Sequence, residues 1–118
     1  PGEFVNGTFT MGENIGDLGG LQMAYSAYQR YLDDCCDGEA EMIDGFTGDQ
    51  RFFLAWAQVW RRLYREDNLR SRLTTDPHSP SEFRTNGVVR NLDAWYAAFG
   101  VTEESALYLP PEERVRIW

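Results

Sequence analysis

The chain contains no lysine; its 11 basic residues are all arginine, set against 19 acids, for a net charge of −8. The arginine-only usage reads as a genome bias rather than a functional feature. A balance this acidic lacks the basic face of a nucleic-acid binder, which excludes nucleic acid as a partner. No run of 18 apolar residues occurs, so no segment of this chain is expected to span a membrane. No signal-peptide pattern opens it either. The first residues are Pro1-Gly2 without a methionine, which reads as upstream sequence being missing. Cysteine is confined to Cys35 and Cys36. Disulfides need a Cα spacing and torsion that adjacent residues rarely supply, and metal sites leave two or more residues between cysteines. The pair is therefore expected to be incidental, and a disulfide-stapled domain is not expected. Hardly any stretch alternates like a strand.

What remains is a mainly α pattern in 118 residues, enough for one domain, with 14% aromatics and four tryptophans to build a core. Residues 4–10 read as an extended or turning segment around Asn6-Gly7. A long helix is expected from about Met11 to Leu32, with Ile15, Leu18, Met23, Ala24, Ala27 and Tyr31 at helical spacing. Gly16, Gly19 and Gly20 lie inside it. Each costs roughly 1 kcal/mol against alanine in a helix interior, so their clustering predicts close approach of another backbone. An acidic loop follows to Phe46. Thr47-Gly48-Asp49-Gln50 has the form of a capping box and opens a second helix. Its apolar face is Phe52, Phe53, Trp56, Val59, Trp60 and Leu63. A short helix is expected over 68–73. Ser79-Pro80-Ser81-Glu82 offers a serine cap, a proline at the first helical position and a glutamate at the third. Asn91 is a candidate cap for a helix ending at Phe99, with Gly100 suited to the left-handed position beyond it. The tail returns to helix near Pro111. The expected core joins the 52–63 face to Trp95, Phe99 and Trp118.

Three groups of residues carry possible chemistry. Glu13 and Asp17 are four apart and share a helix face. Spacing alone favours two solvated acids near a helix start; the alternative is one carboxylate on a metal and one orienting another ligand. His78 is the only histidine, and zinc needs three or four protein ligands, so His78 cannot build a metal site alone. Asp76, two residues earlier, can orient the ring or shift its proton affinity. Arg84 follows on the helix that the loop introduces. Read blandly it makes a surface ion pair; beside His78 and a metal it would suit a developing oxyanion.

Read in order, these pieces resemble the neprilysin and endothelin-converting-enzyme family of zinc metallopeptidases. The resemblance runs from Val5 to Trp118. It rests on Val5-Asn6-Gly7-Thr8, then Gly12-Glu13-Asn14-Ile15-Gly16-Asp17-Leu18-Gly19-Gly20, then Gln50-Arg51-Phe52-Phe53 with Ala57-Gln58-Val59-Trp60. Asp76-Pro77-His78-Ser79-Pro80 with Phe83-Arg84 and the terminal Trp118 complete it. The resemblance implies the helical C-terminal portion of a thermolysin-like catalytic domain, with residues 1–118 as one unit. It implies zinc as cofactor in the full-length enzyme, and peptide hydrolysis by zinc-assisted water attack on the amino side of an apolar residue. By the same resemblance Glu13 is the third zinc ligand and Asp17 holds a zinc-binding histidine. His78, helped by Asp76, stabilises the transition state, and Arg84 binds a substrate carbonyl.

The chain departs from the family pattern at defined points. HExxH is absent, and with it two histidine ligands and the general base. The Asn-Ala substrate-binding motif is absent too. Val115 stands where eukaryotic members carry a cysteine, which fits a bacterial member. The resemblance also gives the clustered glycines a reason: that face would pack on the absent HExxH helix. Two other readings compete, an inactive interaction domain that kept the fold and a subunit completed by another chain. The combination of Glu13, Asp17, His78 and Arg84 argues against decay. Alone, the chain is expected to be inactive, without a complete zinc site. It is also expected to self-associate along Ile15 and Leu18. Its partners are then a peptide substrate and the N-terminal part of the same protein. The compartment stays open between bacterial cytoplasm and cell exterior.

Overall fold

A computed structural model describes residues 3–117 as five α-helices and a closing 3-10 turn. The helices are α1 (Gly7–Cys35), α2 (Gly48–Val59), α3 (Glu66–Thr75), α4 (Ser81–Val89) and α5 (Asp93–Phe99), with the 3-10 turn at Pro111–Glu113. Among the described residues the only strand-like pairing is an isolated bridge between Ile43 and Phe46. α1 packs on α4, and α2 packs on both α4 and α5. No described helix is long and apolar enough to cross a membrane.

The core lies where these helices meet. Leu18 and Leu21 come from α1, Phe53 from α2, Val88 and Val89 from α4, and Leu92 from the turn after it. Tyr25, Phe52, Trp56 and Trp95 pack around this cluster. The 52–63 face is therefore apolar at its start and leaves the core at its end: Phe53 is 2% exposed and Leu63 100%. α2 stops at Val59, and Leu63 lies in the extended link to α3. Phe99 sits at the rim, and Trp118 lies outside the described residues. The Cα radius of gyration is 15.9 Å, against about 13.5 Å for a compact domain of this length. Much of that excess is α1, whose 29 residues make a rod of roughly 43 Å.

Local chemistry explains the helix ends. Asn6 accepts from the Phe9 amide through its side chain, and this cap starts α1 at Gly7. Residues 7–10 are accordingly helical rather than extended, because an Asn-Gly pair serves a helix start as well as a turn. The Thr47–Gln50 capping box forms in both directions. Gly48 permits it to sit close on α1: a Cβ there would meet the Tyr28 hydroxyl at 2.2 Å and the Ala40 methyl at 2.5 Å. Gly100 closes α5 in the left-handed conformation.

Two expected caps are not made. Ser79 does not cap α4; its hydroxyl donates to Asn14 on α1, and Pro80 occupies the cap position. Asn91 does not cap α5; its amide donates to the Gly87 carbonyl, and its oxygen accepts from the Val115 amide. In both cases a tertiary partner takes the side chain that local pattern assigns to a helix end. The tail makes one 3-10 turn rather than a helix and is held by side chains instead. Arg114 stacks on Tyr96 at 3.6 Å and bridges to Asp93. Cys35 and Cys36, expected to stay unpaired, form a disulfide. The pairing falls where Cys36 has left helical geometry, with φ −143° and ψ 27°. It closes no loop, so it does not staple the fold.

Two of the three clustered glycines of α1 meet nothing among the described residues: a Cβ on Gly16 or Gly20 would have no neighbour within 4 Å, whereas Gly19 is buried. Leu18, expected to be exposed, is 6% exposed in the core, whereas Ile15 is 46% exposed. Ile15, Met11 and Phe83 line an open apolar groove of about 570 Å³ between α1 and α4.

The α1–α2 contact carries a titration that checks the packing. The Tyr25 hydroxyl donates to Asp49 Oδ2 at 2.9 Å, and burial followed by that carboxylate pushes the phenol up to about 12. Above pH about 10 the unfolded chain releases this proton while the folded chain keeps it, so stability falls as pH rises toward 12. Urea midpoints at pH about 9 and about 11 should show a loss that Tyr25→Phe largely removes. An unchanged pH slope in that variant would show that Tyr25 is not buried against Asp49.

Candidate active site

Three helices and one loop bring the chemically interesting residues together. Glu13 and Asp17 sit one turn apart on α1; Asp76 closes α3; His78 lies in the loop before α4; Arg84 is in the first half of α4. The loop is held against α1 by the Ser79–Asn14 bond of 2.7 Å, with Asn14 in turn bonded to Thr10. The helical spacing of Glu13 and Asp17 and the Asn14–Ser79 tie thus fix which side of α1 the loop faces.

The His78 ring is spanned by two carboxylates. Nδ1 lies 2.8 Å from Asp76 Oδ1, which also accepts from the His78 backbone amide at 3.0 Å. Nε2 lies 3.1 Å from Glu13 Oε2. The His78 amide and then its ring hold the Asp76 carboxyl below the usual carboxylate range, with Arg72 adding to the effect. With Nδ1–H given to Asp76, Nε2 is the nitrogen turned toward Glu13 and the open side of the site.

Arg84 is clamped rather than free. Its Nε and Nη2 donate to the two oxygens of Asp17 at 2.6 and 2.7 Å, and both side chains are largely buried. The guanidinium stacks over the Trp60 ring at 3.8 Å. The Asp17 hydrogen bonds raise its proton affinity further, and Glu13 and Asp76 reinforce this at longer range. Nη1 is left without a partner in Asp17.

All five residues singled out by the sequence, Glu13, Asp17, Asp76, His78 and Arg84, are therefore gathered on one side of α1. The direct pairing of Asp17 with Arg84 was not anticipated, nor was Trp60 as the platform beneath Arg84. Neither has a signal in local spacing, since Asp17 and Trp60 lie far from Arg84 in sequence. Arg72 has a local signal: it stands four residues before Asp76 at the end of α3, a pairing distance. Arg72 does bridge to Asp76 Oδ2. Among the described residues no three His, Cys, Asp or Glu side chains gather as a metal site. Glu13, half exposed, is a carboxylate suited to one position on a zinc ion, and the other protein ligands would have to come from outside this chain.

The site is thus a helical wall that presents a carboxylate, a histidine held by a second carboxylate and a clamped arginine. The family model of Peptidase family M13 matches residues 2–115. Human neprilysin is 40% identical over 119 residues, and bovine endothelin-converting enzyme 1 is 38% identical over 117. The zinc metalloprotease ZMP1 of Mycobacterium tuberculosis is 58% identical over the whole of this chain. It superposes with a TM-score of 0.94 in its inhibitor complex and 0.93 in its open state. The chain belongs to peptidase family M13. The greater likeness to the mycobacterial enzyme agrees with the bacterial origin expected from Val115. The chain spans 15% of the length of the neprilysin and endothelin-converting-enzyme relatives and 18% of the mycobacterial chain.

The Asp17–Arg84 pair yields a stability prediction. Asp17→Ala strands a largely buried guanidinium, and loss of one partner of such a pair costs about 3–5 kcal/mol. Asp17→Asn, which keeps one acceptor oxygen, should cost less. Denaturant unfolding measures both. Losses under about 0.5 kcal/mol for Asp17→Ala, the range of ordinary surface changes, would show that the clamp is not buried in solution.

Proposed function

We propose that this chain is the C-terminal part of the catalytic domain of a zinc metalloendopeptidase, and that it forms one wall of the active site. The observation that supports this most directly is the His78 ring held between Asp76 and Glu13, beside the clamped Arg84. Each residue then has a distinct task. Glu13 is the third ligand of the zinc ion, beside two histidines of an HExxH helix outside this chain. When bound, zinc supplies Lewis-acid polarisation of the scissile carbonyl. Asp17 does double duty, orienting one of those histidines while it holds Arg84 in place.

His78 is the transition-state donor. Asp76 fixes its ring through Nδ1, and the imidazolium, which carries a proton on both nitrogens, donates from Nε2 to the oxygen on which charge develops. Arg84, fixed over Trp60 with Nη1 to spare, donates to a substrate carbonyl. Its rigid fork needs little further ordering for that bond. The general base comes from outside this chain. With one zinc ligand and no base, the isolated chain does not hydrolyse peptides. The open groove at Met11, Ile15 and Phe83, with the neighbourless Gly16 and Gly20, supports a face that the rest of the protein covers. In the isolated chain that face is free to self-associate. An inactive interaction domain would need the groove but has no use for the His78 and Arg84 geometry.

In the complete protein, Glu13→Gln should lose both zinc and activity, and Asp17→Asn should weaken zinc about 10–100-fold. His78→Ala should keep its zinc and lose about 2.7–4 kcal/mol of transition-state stabilisation, seen in kcat. Arg84→Lys, which keeps the charge and loses the fork, should mainly raise KM. Metal analysis and steady-state kinetics read all four. Normal zinc in Glu13→Gln would remove Glu13 from the ligand set, and a zinc-free His78→Ala would make His78 a ligand instead.

A further inference from the structure

Arg72 lines a cavity of about 300 Å³ together with His78, Asp76, Arg84, Trp60 and Tyr64. Its guanidinium is held on three sides. Nη1 bridges to Asp76 Oδ2, Nε donates to Asn68 Oδ1 at 3.1 Å, and the group lies 5.8 Å from the centre of the Tyr64 ring. Tyr64 is itself fixed, bonded through its hydroxyl to the Ser81 hydroxyl at 2.7 Å and to the Ser81 amide at 3.2 Å.

This arrangement divides the Asp76 carboxylate. Oδ1 is committed twice to His78, through the amide and through Nδ1, while Oδ2 is committed to Arg72. A carboxylate bonded through one oxygen only can swing about its last torsion, which is soft and broad. Bonded through both, it cannot swing without breaking a bond. Asp76 also sits at the C-terminal end of α3, where the helix dipole disfavours a carboxylate. A cation in the last turn of the same helix offsets that.

We propose that Arg72 is a positioning residue of the active site: it locks Asp76 so that the carboxylate holds the His78 ring with Nε2 facing the reacting carbonyl. Arg72 touches neither substrate nor metal and acts only through Asp76. An isolated ion pair of this exposure would contribute about 0–1 kcal/mol to stability. Its effect appears in the chemistry instead, because a small displacement of a catalytic group costs rate out of proportion to energy. The inference rests on the reading of His78 as transition-state donor.

The test uses the complete protein with its zinc, comparing wild type with Arg72→Met, Arg72→Lys, Asp76→Asn, the Arg72→Met/Asp76→Asn pair and His78→Ala. Arg72→Met should keep its zinc and its KM while kcat falls about 10–100-fold. Arg72→Lys restores one donor to Oδ2 and should recover part of the loss. In the Asp76→Asn background, Arg72→Met should change kcat by less than about threefold, because the two residues act along one path. An unchanged kcat in both Arg72 variants overturns the proposal. So does an undiminished effect in the Asp76→Asn background. A raised KM at constant kcat overturns it as well, by placing Arg72 on the substrate. Full activity of His78→Ala refutes the His78 reading separately, whatever Arg72 does.

Discussion

The bidentate pair of Arg84 and Asp17 is the interaction on which this arrangement depends. It joins α4 to α1 across 67 residues of sequence and sets the distance between the two elements that carry Glu13 and the His78 loop. Burying two charges is expensive unless every donor and acceptor is used. Here both carboxylate oxygens are taken, and the face of the guanidinium rests on Trp60. Trp60 in turn lies where α2 ends, against Trp56, whose indole N–H donates to the Arg84 carbonyl. One ion pair thus ties α1, α2 and α4 at the rim of the core cluster formed by Leu18, Phe53 and Val88.

The same geometry leaves one side unfinished. α1 turns Leu18 and Leu21 inward, and Ile15 and Met11 outward. Gly12, Gly16 and Gly20 offer a smooth surface that no described residue approaches. The extended radius and the small set of buried residues have the same origin. A helix this long can be covered only in part by four short ones. The face left bare is the face beside Glu13, so the apolar groove and the proposed active-site wall are neighbours on one helix.

Much of this was legible from residues alone, for identifiable reasons. The Thr47–Gln50 box and Gly100 were readable because they act locally, within one helical turn. Glu13 and Asp17 were readable because four-residue spacing fixes a shared face. His78 with Asp76 was readable because two residues in a tight loop cannot be far apart. The failures share a cause as well. Ser79 and Asn91 have the right chemistry for caps, yet distant partners claim their side chains. Leu63 follows the apolar rhythm of α2 but comes after the helix has ended. The Asp17–Arg84 clamp and the Trp60 platform are tertiary facts with no local pattern. The disulfide between Cys35 and Cys36 depends on backbone geometry just past a helix end, which composition does not encode.

The central claim is that Glu13, and no other residue of this chain, binds the zinc ion, while His78 stands beside it. The most direct measurement is a crystal structure of the complete protein with zinc located by its anomalous scattering. The account predicts a Glu13 carboxylate oxygen at roughly 2.0–2.2 Å from the metal, with His78 still bonded to Asp76 and outside the coordination sphere. Zinc bound through His78, or zinc at a site that excludes Glu13, would contradict it.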